Sequence, residues 1–426
     1  MAEKNGAKAE VTILGAGIIG VSTALALLER GLSVEIVDRD APGEATSYGN
    51  AGVISPWSCV PQCLPGTWKS VPGWLLDPNG PLKLRWRSLP SILPWAYRFF
   101  RSATPEHVEK IADVMDLLMQ DNVDVYKRWL AGTGREDLLV DSWYVNVFRG
   151  VERPDLADLA WRLRIERGAP VELVDQGALL EIEPAISPEY HSAVLIKAQA
   201  RARDPGGLCK ALAEKARAMG ATFTRAEVKA LLPTSDGSLS LQTESGLIAT
   251  EKLVLCAGVW SGALLRSLGF KLPLIAERGY HLEFRDPGVT VNNSINDMAA
   301  KIVISAMTGG VRVAGTAEFG SVDAPPNEAR SAVLEPLAKR LLPALNTGSK
   351  QAWMGRRPSF PDSLPAIGPL PGMPKLIAAF GHSHYGMGMA PATGRIVGEL
   401  LLGNAPNAEL AMIKPARFQR GGEGSN

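Results

Sequence analysis

Val11-Thr-Ile-Leu-Gly15-Ala-Gly17-Ile-Ile-Gly20 leads into Val21-Ser-Thr-Ala-Leu-Ala-Leu-Leu28, and a short turn later comes Ser33-Val-Glu-Ile-Val-Asp38. An apolar strand, a glycine turn, an Ala/Leu-rich helix and a second strand closed by an acid form one βαβ unit. Three glycines at this spacing are weak evidence alone; the flanking strand, helix and acid make them specific. Gly15 allows the tight turn, Gly17 lets backbone approach a phosphate, and Gly20 lets the helix pack close to the sheet. The helix from Ile18 to Arg30 then aims its unpaired N–H groups and positive dipole end at that phosphate. Asp38 is placed to accept from a ribose hydroxyl and would repel a 2′-phosphate, which disfavours NADP.

A second glycine-rich unit lies near the other end of the chain. Lys375-Leu-Ile-Ala-Ala-Phe380 runs into Gly381-His-Ser-His-Tyr-Gly-Met-Gly-Met389 and a further helix-like stretch. Such a loop brings backbone and a helix N-terminus to the far end of an extended cofactor. A dinucleotide gripped from both ends of the chain points to a flavin more than to a nicotinamide.

Composition narrows the class. The chain has 426 residues, 45 of them basic and 44 acidic, a balance that argues against a nucleic-acid footprint. Cys59, Cys63, Cys209 and Cys256 are scattered, lack CxxC spacing and read as reduced thiols of a cytoplasmic protein. The N-terminal Met1-Ala-Glu-Lys-Asn-Gly6 is polar, with no visible signal peptide, and no apolar run is long enough to span a bilayer. The spacing His382-x-His384 has no third partner for a metal, so no metal site is expected.

Between the glycine units, Gly43-Glu-Ala-Thr-Ser47-Tyr-Gly-Asn50-Ala51-Gly52 offers small residues whose N–H groups can line a cofactor. Residues 56–94 read as loop and short helices, 105–131 as helix, 143–148 as strand, 153–167 as helix and 193–196 as strand. Asp204-Pro205 reads as an N-cap and N1 opening a helix to Met219. A strand follows at 221–228, then hairpin-like segments to Thr250. Lys252-Leu-Val-Leu-Cys-Ala257-Gly258 is an apolar strand ending in small residues. Residues 271–320 alternate like a sheet and 325–345 look helical. Leu82–Arg101 mixes aromatic, aliphatic and basic residues. Two prolines interrupt it, so it reads as a buried helical pair, with peripheral contact to the inner face of a membrane as the other reading.

With these segments in view, the chain resembles the D-amino-acid oxidase-like superfamily of FAD-dependent amine oxidoreductases. It looks closest to the bacterial D-amino-acid dehydrogenase and glyphosate oxidoreductase-like branch. The likeness covers nearly the whole length. It is carried by Gly43–Gly52, Val71-Pro-Gly-Trp-Leu-Leu-Asp-Pro78, Glu277-Arg-Gly-Tyr-His281, Gly310-Val-Arg-Val-Ala-Gly-Thr316, Trp353-Met-Gly-Arg-Arg-Pro358, Asp362-Ser-Leu-Pro-Ala-Ile-Gly368 and Gly381–Met389. The resemblance implies an α/β fold: a Rossmann-like FAD domain of the glutathione-reductase type, interrupted by an α+β substrate domain with a mixed sheet. We expect residues 1–85, 201–270 and 351–426 in the first and 86–200 and 271–350 in the second. It implies hydride transfer to flavin N5 from the carbon beside an amine nitrogen of an amino acid or secondary amine, followed by imine hydrolysis. The electron acceptor would be oxygen or a quinone, and an oligomer is compatible with it.

By matching motifs, Gly15, Gly17, Gly20, Asp38 and Arg39 would hold the ADP half, with Val228 beside the adenine. Ser47, Asn50, Ala51 and Gly52 would line the pyrophosphate and flavin. Ala257 and Gly258 would approach backbone-first. Gly386, Met387, Gly388 and Met389 would face the pyrimidine end, where backbone N–H groups and the helix N-terminus near Ala390 can stabilise negative charge. Arg357 would clamp the substrate carboxylate, a task that suits a planar guanidinium; a structural pair with Asp362 is its other reading. Arg356 should point the opposite way. Alternation puts one of Tyr280 and His281 into the pocket, and Tyr280 is favoured as a donor to the carboxylate. His384 stands where some relatives carry a second arginine. Some sarcosine-oxidase relatives attach FAD through a cysteine near the Arg357 motif. This chain has none after Cys256, so a non-covalent FAD is expected. A second reading is an FAD-binding subunit of a multi-chain amine or opine oxidase, dependent on partner chains.

Overall fold

Strands Val11–Leu14, Lys252–Leu255 and Met373–Phe380 lie side by side and parallel in a six-stranded sheet. Their ends therefore deliver Gly15–Gly17, Ala257–Gly258 and the Gly381–Gly388 loop to one edge, where open α/β sheets bind ligands. Val34–Asp38 and Thr222–Arg225 extend the sheet in parallel, and Ala366–Leu370 caps the other side antiparallel. This computed structural model describes residues 8–150, 153–404 and 408–418; the polar stretch Met1–Gly6 lies outside them. Val11–Leu14 is buried at every position, as a parallel strand covered on both faces must be. Gly15 sits at φ +119, and a Cβ there would lie 2.4 Å from the Cys256 carbonyl oxygen, so only glycine fits.

The two glycine-led helices, Ile18–Leu28 and Gly386–Leu401, pack against each other. Their approach is close: a Cβ on Gly394 would stand 2.7 Å from the Ser22 carbonyl oxygen. The chain's two ends thus form one layer over one face of the sheet. The expected helix at 105–131 is two, Pro105–Met119 and Asn122–Leu130, broken where Asp121 takes a left-handed φ of 58. Both share the apolar core of the first sheet and its helices. The helix opened by Asp204 runs Pro205–Ala218, and the Asp204 side chain accepts from the Gly207 amide.

A second, ten-stranded mixed sheet carries Lys350–Ser359, Ile275–Phe284, Gly310–Phe319, Ile302–Met307, Ser294–Asp297, Leu139–Phe148, Ser192–Ala202 and Val53–Ile54 in that order, with two short strands beside the path. The helix Leu334–Leu341 packs on it. Residues 351–359, expected with the nucleotide side, pair in this second sheet, and the helices of 105–130, expected with the substrate side, pack on the first. Hydrogen-bond pairing and packing cut across the linear boundaries.

The Leu82–Arg101 stretch is not a helical pair. It is a short strand, Leu82–Leu84, a 3-10 turn at Trp86–Ser88, and one helix, Leu89–Ser102, with Pro94 inside it. The inner face holds the helix together across the proline. Trp95 donates to the Ser359 carbonyl at 3.1 Å and packs on Phe99 and Phe319. The outer face leaves Leu93 62% and Tyr97 64% exposed.

Candidate functional site

The edge of the first sheet and the face of the second enclose a continuous cavity of about 900 Å³. At one end stand Gly15, Gly17, Asp38, Arg39 and Val228. Asp38 Oδ2 accepts from the Ala16 amide at 2.6 Å and Oδ1 from Asp40 N at 3.0 Å. The carboxylate thus braces the glycine turn as well as facing the cavity, and each oxygen keeps a second lone pair for a hydroxyl donor. Gly20 does not reach the cavity. A Cβ there would sit 1.9 Å from the Gly15 carbonyl oxygen, so its absence lets helix and turn close together.

In the middle, Ser47, Asn50, Ala51, Ala257 and Gly258 line the wall. Ser47 Oγ accepts from the Ile18 amide at 3.0 Å, capping the first helix. Gly52 is a correction: it lies off the cavity, at φ 84, with its missing Cβ leaving room for the Ala202 carbonyl. Asn50 Oδ1 accepts from the Gly52 amide at 2.8 Å and so shapes this loop.

At the far end, Gly386, Met387 and Gly388 line the cavity as the first turn of their helix. That helix starts four residues earlier than the expected position near Ala390, which puts its unpaired amides directly at the wall. The Met387 and Gly388 carbonyls are held from behind by the Tyr126 hydroxyl at 2.7 Å and the Asn122 amide at 3.3 Å. Met389 is a second correction. It is fully buried away from the cavity, because the helical turn rotates it into the core.

Arg357 lines the same end, and its guanidinium rests over Gly279, where a Cβ would fall 2.3 Å from it. Its Nη1 donates to Glu277 Oε1 at 2.8 Å across paired strands. Asp362, the alternative partner, instead holds Arg417 at 2.9 Å. Arg356 points away, donating to the Val322 carbonyl. Glu277 Oε2 accepts from Ser359 Oγ at 2.9 Å and Gln62 Nε2 at 3.3 Å. Burial pushes this carboxyl up, but Arg357, His384 and the Ser359 hydroxyl together outweigh it and leave the group below its ordinary range. Sequence reasoning quoted Glu277 within a motif without giving it a role, since only strand register sets it opposite Arg357. Gln62 was missed entirely.

Gln62 Nε2 also meets His384 Nδ1 at 3.0 Å, so the amide donates and the ring proton sits on Nε2. His384 has accessible surface and lines the cavity, yet surrounding protein pushes its pKa down to about 4, with Glu277 opposing and Arg357 adding. It is a neutral group near pH 7. Tyr280 lines the cavity with its ring, but its hydroxyl is not free for a ligand. It donates to Glu318 Oε2 at 2.6 Å and accepts from Asn327 N at 3.2 Å. The expected donor role fails because Tyr280 is paired with the neighbouring strand through Glu318: the strand keeps its register against Lys350–Ser359, and the bulge at this point puts its extra residue, Thr316, on the partner strand. His281 lies outside the cavity, stacked on Trp353 at 5.0 Å and 19°.

The arrangement fits an extended dinucleotide: a long cavity, glycines where side chains would clash, and two helix N-termini at separate points along it. The four cysteines are buried free thiols. Among the described residues no cluster suits a metal ion, and no helix is long and apolar enough to cross a membrane.

Comparison with known proteins agrees with this geometry. The chain is 37% identical over 418 residues to a D-amino-acid oxidase of Bradyrhizobium diazoefficiens, covering 96% of this chain and 98% of that one. It is 29% identical to a D-amino acid dehydrogenase of Allorhizobium ampelinum, covering 97% and 99%. In fold it matches the crystal structure of glycine oxidase from Bacillus cereus, with a TM-score of 0.72 at 19% identity over 98% and 100% of the two chains. The model of the FAD dependent oxidoreductase family (DAO) matches residues 10–400, and the chain belongs to that family of flavoenzymes.

Proposed function

We propose that this flavoenzyme oxidises an amino acid at the carbon beside its nitrogen, by oxidative deamination of a D-amino acid or N-dealkylation of an N-substituted glycine. The observation that carries the reading is Arg357. Among the described residues only its Nη1 is engaged, so the rest of the guanidinium remains to pair with a substrate carboxylate. Glu277 fixes the group from one side and Gly279 gives it room. The names of the relatives, a D-amino-acid oxidase and a D-amino acid dehydrogenase, support the same chemistry.

Bound FAD supplies the hydride acceptor. Gly15, Gly17, Asp38 and Arg39 would hold its adenosine half, and Ser47, Asn50, Ala51, Ala257 and Gly258 its middle. The amides of Gly386, Met387 and Gly388 would stabilise negative charge at the far end without a catalytic acid. Neutral His384 and the Glu277–Arg357 pair would orient the substrate. The lost proton passes to solvent, and water converts the imine to a keto acid or aldehyde with release of ammonia or an amine.

Anaerobic mixing of the purified yellow protein with D-amino acids, D-proline analogues, sarcosine, iminodiacetate and glyphosate tests this. Bleaching of the flavin by one of them in a single-chain preparation supports the proposal and excludes a need for partner subunits. A flavin that stays oxidised with all of them contradicts it.

The exposed Leu93, Tyr97 and Phe100, beside exposed Arg98 and Arg101, support peripheral contact with an anionic membrane face, where a quinone would accept the electrons. Co-sedimentation with anionic but not neutral vesicles is the expected result. Rapid reoxidation by oxygen with no vesicle binding favours an oxidase.

A further inference from the structure

The helix Leu159–Glu166 carries three arginines or abuts them, and they are treated differently. Arg162 pairs with Glu109 at 2.8 Å and with Glu166 at 3.0 Å, and Arg167 pairs with Asp113. Arg164, between them, has no acidic partner among the described residues. It faces inward and lines the cavity beside Tyr144, Asn146 and Trp161. One hydrogen bond, from Nη1 to the Ala160 carbonyl at 2.8 Å, and the Trp161 ring 5.3 Å away are what hold it. Its Nε is buried with no hydrogen-bond partner. A half-buried guanidinium without a counter-ion and with an unpartnered Nε is costly, and such groups persist where a ligand supplies the missing charge.

The wall around it gives the charge a direction. Away from the adenosine end, the cavity is lined by three cations, Arg164, Lys301 and Arg357, and one carboxylate, Glu277. Glu277 is committed to Arg357 and Lys301 has Asp297 as a neighbouring charge, which leaves Arg164 as the cation of this wall with no carboxylate partner among the described residues. Arg164 and Arg357 stand on different elements, the helix Leu159–Glu166 and the strand Lys350–Ser359, and share no hydrogen-bond partner. One cation is therefore set for the carboxylate common to all amino acids, and another stands apart from it.

We infer that Arg164 forms a second anion-binding subsite, and that the preferred substrate carries an additional anionic group on its side chain or nitrogen substituent. Tyr144 and Trp161 border this subsite. The inference rests on the amino-acid reading above for its substrate, but the subsite can be tested without turnover.

The holoenzyme is titrated with dicarboxylates of increasing length and with their isosteric monoamides, glutarate against glutaramate and succinate against succinamate among them. Binding is read from the perturbed flavin spectrum. At the best chain length the diacid binds at least about tenfold tighter than its monoamide, an ionic hydrogen-bonded contact against a neutral one. In Arg164→Gln, with FAD occupancy retained, the difference falls within about twofold, and Arg164→Lys recovers part of it. The ratio of kcat/KM for D-glutamate over D-glutamine collapses in the same variant. Equal affinity of acid and amide at every length in the parent overturns the subsite, as does a preference that survives in Arg164→Gln. A parental diacid preference in an enzyme that no amino acid reduces would keep the subsite and overturn the functional reading instead.

Discussion

The two ends of the cavity are built by different means. The Gly15–Asp38 end is made within one βαβ unit, from backbone amides, absent side chains and a carboxylate that braces its own turn. The Arg357 end is made by residues far apart in sequence: Gln62, Glu277, Arg357, Ser359 and His384 meet there, and Arg164 lines the same cavity apart from them. Its paired polar groups are side chains, with Glu277, Arg357 and Ser359 on the second sheet, set beside the backbone amides of Gly386–Gly388. The first design tolerates little change of shape and serves a cofactor shared across a family. The second can be re-specified one side chain at a time.

If that division is right, damage at one end should leave the other end's readout intact. Arg357→Met should show it most strongly. It removes the carboxylate clamp and leaves Glu277 buried without its cation, so capture of carboxylate substrates should fall by on the order of 2–5 kcal/mol. The flavin spectrum should persist, Arg357→Lys should recover only part, and amines lacking a carboxylate should suffer far less. Parental rate and apparent affinity in Arg357→Met would break the comparison at its main point.

Gly279→Ala asks the same question through shape. The new Cβ meets the Arg357 guanidinium, which must shift, at about 1–3 kcal/mol in substrate capture for an overpacked site. Stopped-flow flavin reduction should slow while FAD content stays at one per chain. Equal loss of FAD would show that the two ends are not separable.

Asp38→Ala probes the opposite end. Losing the bond to Ala16 N should cost about 1 kcal/mol and weaken FAD retention by several-fold, measured by dilution or dialysis of the holoenzyme. Substrate ranking should not move. A changed ranking with normal FAD occupancy would contradict the assignment.

Acid sensitivity is the mildest probe. Burial pushes His281 and His382 down to about 3, and both lie towards the Arg357 end. The unfolded chain binds their protons near the ordinary 6.5 and the folded one does not, so stability rises with pH between about 3 and 6.5 and is lost on acidification. The urea midpoint should fall from pH 7 to pH 4.5, and less steeply in His382→Gln, where an amide can keep the bond to Thr393. An unchanged slope would assign the acid loss to other groups.

The same contrast explains what could be read from the chain alone. Gly15, Gly17 and Asp38 are legible because their reason for being there is local: a turn, a close approach, a strand end. The resemblance supplied the fold class and pointed to Arg357. Glu277, Gln62 and Arg164 were not legible, since nothing in their neighbours along the chain announces that strand register and packing bring them to one wall. Tyr280 misled for a related reason: nothing next to it in the chain shows that Glu318 on the adjacent strand takes its hydroxyl. Leu82–Arg101 misled because a proline's local cost was weighed without the Trp95 contacts that offset it.

The close fit of Gly394 on Ser22 has a consequence for biosynthesis. The helix Ile18–Leu28 leaves the ribosome well over 300 residues before Gly386–Leu401, the helix that packs on it. At roughly 5–20 residues per second, some 20 to 80 seconds separate them. Throughout that interval the glycine turn has no partner helix, and the nascent chain must remain soluble without the flavin that will later tie its two ends together.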